Sequence, residues 1–228
     1  MVSSSKYRNI LLTGWLLAIS ALLGTGLMVL VNRHSVPYIE HNERQVLLRS
    51  LNAVIPVETY DNDILNDSIQ VTDEKLLGSD APITIYRARA TGRPVAAALT
   101  IIAPNGYSGP IVLLVGIGYT GQITGVRVVR HRETPGLGDS IEIQRSSWIE
   151  SFNGKSSTNP KAAGWRVKRD GGEFDQFTGA TITPRAVVGA VHKALLYFER
   201  HRDIIFSVQQ SSKINNIPAK TPGNGAKQ

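Results

Sequence analysis

The stretch ILLTGWLLAISALLGTGLMVLV, Ile10 to Val31, carries no charged side chain. It is long enough to cross a hydrocarbon core of ~30 Å as a single helix. Its glycines, Gly14, Gly24 and Gly26, are of the kind common where membrane helices pack closely. The rival assignment is a cleaved signal peptide, whose apolar region spans only ~7–15 residues and ends at a small-residue cleavage site. Leu30-Val31-Asn32-Arg33-His34 offers no such site. An uncleaved anchor is therefore expected at residues 10–31, behind a short N-terminus at residues 1–9. Lys6, Arg8 and the amino terminus precede the run, and after it Arg33 is followed by Glu40 and Glu43. The positive-inside rule then puts residues 1–9 in the cytoplasm and everything after the anchor on the outer face.

The rest of the 228 residues suits one globular domain, and a composition 42% hydrophobic and 19% charged is that of a chain that folds. The net charge of +7 is scattered, with Lys213, Lys220 and Lys227 in the tail. It forms no Lys/Arg stripe with interleaved aromatics, so nucleic acid is not an expected partner. The absence of cysteine excludes disulfides, thiolate zinc sites, all-cysteine iron–sulfur clusters and c-type haem. The histidines, among them His34, His41, His192 and His201, supply no close ligand pair on one helix face, and no metal site is expected.

After the anchor, YIEHNERQVLLRSLNAVIP places Val46, Leu47, Leu51, Val54 and Ile55 near helical spacing and stops at Pro56. The polar stretch that follows holds Asp61, Asp63 and Asp67 but lacks the loop glycine and terminal glutamate of an EF-hand, so it reads as a solvated loop. Residues 32–82 are thus a membrane-proximal helix and loop. From residue 83 the segments ITIYRARA, VAAALTIIAP, PIVLLVGIGY and ITGVRVVRH are rich in Val, Ile and Thr and are separated by glycine-containing breaks. That is the pattern of a four-stranded antiparallel meander. A helix is expected after RETPGLG, capped by Asp139 or Ser140 and ended by Gly154. A second hairpin is expected over GWRVKR and EFDQF. A last helix is expected over Pro184–Arg202, with Val187, Val188, Val191, Leu195 and Phe198 on the face that docks on the sheet. The fold class is α+β, an antiparallel sheet with flanking helices at residues 83–207, and residues 208–228 read as a disordered tail.

The stretch FDQFTGATITPRAV, Phe174 to Val187, holds the candidate chemistry. Pro184 favours the first helical position, which makes Thr183 the expected N-cap. Thr181 would then sit where free backbone N–H groups and the helix dipole converge, a setting that suits a phosphate. Gly179 and Ala180 keep the nearby backbone uncluttered, and Arg185 adds a cation. These residues alone leave two readings open, a phosphate-bearing threonine or a plain turn.

Asp175-Gln-Phe-Thr178-Gly179-Ala180-Thr181 resembles the flavinylation motif Asp-x-x-(Ser/Thr)-Gly-Ala-Thr of covalent FMN-binding domains. ETPGLG, Glu133 to Gly138, resembles the second hallmark of that family, and GYSGPI, Gly106 to Ile111, a third. The resemblance covers about residues 1–205. It implies FMN joined by a phosphoester to Thr181, placed there by a magnesium-dependent flavin transferase with FAD as donor. It implies that Asp175 is read by the transferase. It also implies a cofactor-binding set of Glu133, Thr134, Pro135, Gly136, Leu137, Gly138, Thr178, Gly179, Ala180, Thr183 and Arg185. The glycines would let backbone approach a flat ring, Leu137 would pack on its face and Thr134 would bond its rim.

Within that family the chain is most similar to the G subunits of Rnf-type ion-translocating complexes. It is less similar to the C subunits of sodium-translocating NADH:quinone reductases, which tend to be longer. The resemblance implies a redox subunit of the bacterial inner membrane, its C-terminal domain on the periplasmic face. It would relay electrons among partner subunits in an NADH/ferredoxin reaction coupled to Na⁺ or H⁺ transport. No Gly-rich dinucleotide fingerprint is present, so NADH binding is not expected in this chain. The alternative is a cofactor-free, membrane-anchored assembly or binding module in which TGAT is only a helix entry.

Overall fold

The structure, a computed structural model, describes the backbone of residues 4–207 and the side chains of residues 14–29 and 44–207. The tail expected at residues 208–228 lies outside the described residues. The chain divides into two units, Met1–Leu47 and Leu48–Gln228. Helix α1 runs Ser4–Asn52. From Gly14 to Val29 every side chain is exposed, Trp15, Leu22 and Met28 among them. Among the described residues no helix is long and apolar enough to cross a membrane. The side chains at 10–13 and 30–31, the two ends of the run expected to span, lie outside the described residues.

The second unit is built on one sheet. After α1 come β1 (Ser68–Asp73), the short helix α2 (Glu74–Leu77), β2 (Ser79–Ala90), β3 (Arg93–Ala103), β4 (Ile111–Gly118) and β5 (Ile123–Arg130). The strands lie in chain order and all pairs are antiparallel, so the expected meander is present as β2–β5. The stretch read as solvated loop instead supplies β1 and α2, which moves the start of the sheet upstream of residue 83. The physical reason is that β1 is an edge strand. Only Val71 of its six residues is buried, so it lacks the apolar alternation that marks an inner strand.

Register fixes what each face of the sheet meets. Leu99 opposes Val115, Ile101 opposes Leu113 and Ala103 opposes Ile111, and all six belong to the main core. Helix α3 (Ile182–Ser207) covers that core, with Val187, Val188, Val191, Leu195 and Phe198 buried as expected. It begins before the expected Pro184 and continues past Arg202. Two β2 arginines bind its last turn. Arg87 donates to the Ile205 carbonyl at 3.0 Å and Arg89 to that of Phe206 at 3.0 Å, and both pair with Asp67. Cations there complement the negative end of the helix dipole.

On the other face the residues just after α1 seat against glycine. Gly116 faces Gly125 across β4 and β5, and a Cβ at Gly116 would lie 2.3 Å from the Val54 carbonyl oxygen. Thr124 Oγ1 donates to that same oxygen at 2.5 Å. Leu51, Val54 and Ile55 are buried as the apolar spacing before Pro56 suggested, but Val46 is exposed and α1 ends at Asn52, before Val54.

Between β5 and α3 the expected helix does not form, and of the expected hairpin only one bridge, between Val167 and Phe174 and parallel in sense, is present. Instead there are short 3-10 turns, at Gly138–Ile141, Ser147–Phe152, Ala162–Gly164 and Lys168–Asp170. Ser146, not Asp139 or Ser140, caps the second of them, accepting from the Trp148 N–H. The alternation of Trp165 and Val167 serves burial in a loop, not a strand. Phe152, Trp165 and Phe174 stack on one another, with centroids 4.7 to 6.2 Å apart. His192 of α3 lies parallel to Trp165, and burial lowers its pKa, which favours the neutral ring.

Candidate functional site

Two tight turns build the centre of the site. In Thr134–Leu137 the Leu137 N–H donates to the Thr134 carbonyl at 3.2 Å, with Pro135 and Gly136 in the middle and Gly136 at φ 78°. In Phe177–Ala180 the Ala180 N–H donates to the Phe177 carbonyl at 3.1 Å, and Gly179 has φ 80°. Both are type II turns, whose third position demands positive φ and therefore glycine. The turns meet: a Cβ built on Gly179 would lie 3.6 Å from Leu137 Cδ2. Leu137 is nevertheless 44% exposed, so an apolar side chain stands over the TGAT backbone with its outer surface open.

Glu133 locks the neighbouring segments together. It is buried, and its Oε1 accepts from the Ser108 N–H at 3.0 Å. Its Oε2 accepts from the fully buried Thr183 hydroxyl. One carboxylate thus joins GYSG, ETPGLG and the first turn of α3. Buried charge is tolerated only when its lone pairs are met in this way. Gly138 is required by the same group, since a Cβ there would lie 2.8 Å from Glu133 Oε2 and 2.9 Å from Thr183 Oγ1.

This geometry corrects the expected cap. The Arg185 N–H donates to the Thr181 carbonyl at 3.3 Å, which makes Thr181 the N-cap residue and places Thr183 within the first turn. Pro184 then removes an N–H that the helix leaves unpaired in any case. The Thr181 side chain is half-buried at the head of α3. Its Oγ1 is approached by Arg169 Nη1 at 3.5 Å, the outer limit of a hydrogen bond.

The other expected site residues take varied places. Thr134, Pro135, Gly136, Thr178 and Gly179 are exposed and Ala180 is half-buried. Arg185 turns to Asp170, with bonds of 2.6 and 2.8 Å from its Nε and Nη2. The hydrogen bond from Arg185 holds the Asp170 carboxyl below its ordinary value and raises the pKa of Arg185 itself. Asp175 is exposed and paired with Lys168 Nζ at 2.6 Å, while its carbonyl accepts from Trp148 Nε1 at 2.8 Å. Sequence reasoning gave no site role to Lys168 and Arg169, which it took for strand, to Asp170, which it took for the hairpin connection, or to Trp148, whose ring meets Phe177 edge-on at 5.1 Å. Ile182, beside Thr181, is 46% exposed, and Tyr107 of GYSG is 68% exposed.

Of the grooves, one of ≈ 420 Å³ lined by Thr120, Ser156, Thr158, Glu199 and Arg202 contains none of the motif residues. A smaller one of ≈ 220 Å³ opens beside the head of α3, between Pro104, Asn105, Arg185 and Gly189. The motif turns lie at the surface, not in either cavity.

The antiparallel sheet with its flanking helices fits an α+β FMN-binding domain, and the FMN-binding domain family model matches residues 106–196. The model described as the RnfG N-terminal region matches residues 1–54. Two similar proteins are G subunits of ion-translocating oxidoreductase complexes. That of Pseudomonas aeruginosa (strain UCBPP-PA14) is 47% identical, over 92% of this chain and 99% of its own length. That of Shewanella baltica (strain OS223) is 46% identical, over 89% of this chain and 96% of its own. The chain belongs to this family, the G subunits of ion-translocating oxidoreductase complexes.

Proposed function

We propose that this chain is a membrane-anchored electron-carrier subunit with FMN attached by a phosphoester to Thr181. The observation that carries the reading is the meeting of the two type II turns, Leu137 over Gly179, beside a hydroxyl at a helix head. The residues fit the cofactor. The N-terminus of α3 and the Arg169 guanidinium favour a phosphate on Thr181 Oγ1. Leu137, exposed on one side, offers an apolar surface to a flat ring, and the open backbone of Thr134–Gly136 offers polar groups at its rim. Glu133 does not reach toward such a ring, because both of its oxygens are engaged within the protein. Its part, and that of Thr183, is to hold the two loops in register.

Flavin accepts and donates electrons singly or in pairs, which supplies the redox chemistry that the side chains lack. The protein holds the group at the surface, where a partner subunit can approach it. Kinship with the Pseudomonas and Shewanella proteins supports assembly in an ion-translocating oxidoreductase complex. The proposed reaction of that complex is electron transfer between NADH and ferredoxin coupled to Na⁺ or H⁺ movement. The run Ile10–Val31 and the match over residues 1–54 support an inner-membrane anchor with the sheet domain on the periplasmic side. Maturation then requires a flavin transferase that reads the exposed Asp175.

The test is the intact mass of the chain made with its transferase. It should exceed the sequence mass by one FMN adduct, and in-gel fluorescence should survive denaturation. Thr181→Ala should lose both signals while remaining folded, since its hydroxyl makes no capping bond within α3 and truncation at an N-cap costs at most about 1–2 kcal/mol. Wild-type chain at the bare sequence mass would leave only the cofactor-free module.

A further inference from the structure

The cation beside Thr181 comes from a segment to which sequence patterning gave no role. Lys168–Asp170 forms a 3-10 turn with all three side chains exposed. Each touches a different residue of the Asp175–Arg185 stretch. Lys168 Nζ is 2.6 Å from Asp175 Oδ1, Arg169 Nη1 is 3.5 Å from Thr181 Oγ1, and the Asp170 carboxylate takes Arg185 at 2.6 and 2.8 Å. The Arg169 N–H also donates to Gln176 Oε1 at 3.2 Å, which fixes the turn against the motif from its backbone side. Asp170 offsets the charge of Arg185 and Asp175 that of Lys168. Among the described residues Arg169 has no carboxylate within ion-pair distance, although its charge acts on the neighbouring Asp170, and it is the cation facing the threonine hydroxyl.

We propose that Arg169 is the positioning residue for the modification of Thr181: its guanidinium orients the hydroxyl for transfer and then pairs with the phosphodiester that the threonine carries. The proposal rests on the reading of Thr181 as the attachment site. In the transfer, Thr181 Oγ1 bonds to the FMN phosphorus of FAD and the pyrophosphate P–O bond to the adenylate side breaks. AMP leaves, and the hydroxyl proton passes to a base on the transferase or to solvent. No electron changes hands. Such a step is governed by positioning and by stabilisation of charge on the phosphoryl oxygens, which a cation at this place supplies. The product bears a negative charge at the place where Arg169 stands, so the same contact serves before and after transfer.

The experiment uses full-length chain produced without its transferase, then incubated with purified transferase, FAD and Mg²⁺, with intact mass read against time. Arg169→Gln should slow the appearance of the adduct about ten-fold. Arg169→Lys, which keeps the charge, should recover at least about half of the lost rate, and the gap between wild type and Arg169→Gln should narrow at high salt. Because the side chain is exposed, both variants should melt with the wild type, a readout that separates positioning from folding. Labelling of Arg169→Gln at the wild-type rate would overturn the proposal, as would equal loss in both variants. A wild-type chain that stays unlabelled while the same transferase modifies a control substrate would overturn the attachment reading itself, a distinct result.

Discussion

The sheet and the segment between β5 and α3 are ordered by different means. In β2–β5 a backbone ladder runs from strand to strand and, apart from bulges near Ala88, Val112 and Gly116, sets each side chain by a period of two. From His131 to Thr181 there is no ladder of comparable length. Order there comes from single devices: the Glu133 carboxylate, the stack of Phe152, Trp165 and Phe174, the Trp148 indole on the Asp175 carbonyl, and glycines at turns. The motif residues other than GYSG and the first turn of α3 all lie in this second region. A repeating ladder leaves little freedom to aim one hydroxyl. A segment held by discrete contacts can present Thr181, Leu137 and Arg169 at one point of the surface, but each contact then matters individually.

The contrast can be broken from the sheet side first, where the largest effect is expected. Gly116→Val puts a branched side chain where even a Cβ lies 2.3 Å from the Val54 carbonyl oxygen. It should cost about 3 kcal/mol and lower Tm by roughly 10 °C, with the whole second unit melting together. A thermal melt of the purified protein checks this, and an unchanged Tm would mean that Val54 does not seat on the sheet as described. On the site side, Glu133→Ala strands the Thr183 hydroxyl and the Ser108 N–H, at about 2 kcal/mol. The expected result is local. Hydrogen exchange should accelerate over residues 106–109, 133–138 and 177–183 while β3 and β4 keep their protection. Uniform acceleration across the sheet would erase the distinction between the two regions.

How much of this was legible in the sequence follows the same division. The inner strands were readable because they are rich in Val, Ile and Thr and are set apart by glycine-containing breaks. The α3 face was readable because its apolar residues recur at helical spacing. β1 was not, since Gln70 and Thr72 on an edge strand look like loop. The residues after β5 were misassigned because Trp165 and Val167 alternate for burial, while pairing with EFDQF is limited to a single parallel bridge at Val167 and Phe174. Trp165 packs on Phe152, Phe174 and His192, and no local period encodes that set. The glycines of ETPGLG and TGAT were visible through resemblance, and the two type II turns explain them. The cap at Thr181 in place of Thr183 could not be read, because it depends on Glu133, 50 residues away, claiming the Thr183 hydroxyl. Arg169 carried no signal at all, since its meaning comes from the fold that sets it beside Thr181.

The smallest expected effect sharpens the comparison at a single contact. Asp170 is held below the ordinary aspartate value of 3.8, first by its hydrogen bond from Arg185 and further by the charges of Arg185, Arg169 and Arg166. A carboxyl whose pKa is depressed on folding contributes stability that is present above the unfolded value. That contribution is lost as pH falls through the lower, folded value. The pair is open to solvent, so the effect on the global melt should be slight and should fade in salt. It should still be visible as a difference: Tm of the wild type and of Asp170→Asn should be separated at pH 6 and should converge as pH falls below 3.8. The released Arg185 should by then be free to compete with Arg169 for an anion at the head of α3. Asp170→Asn should therefore modify Thr181 at least as fast as wild type at neutral pH. A slower rate would mean that Asp170 serves the site directly and not by occupying Arg185.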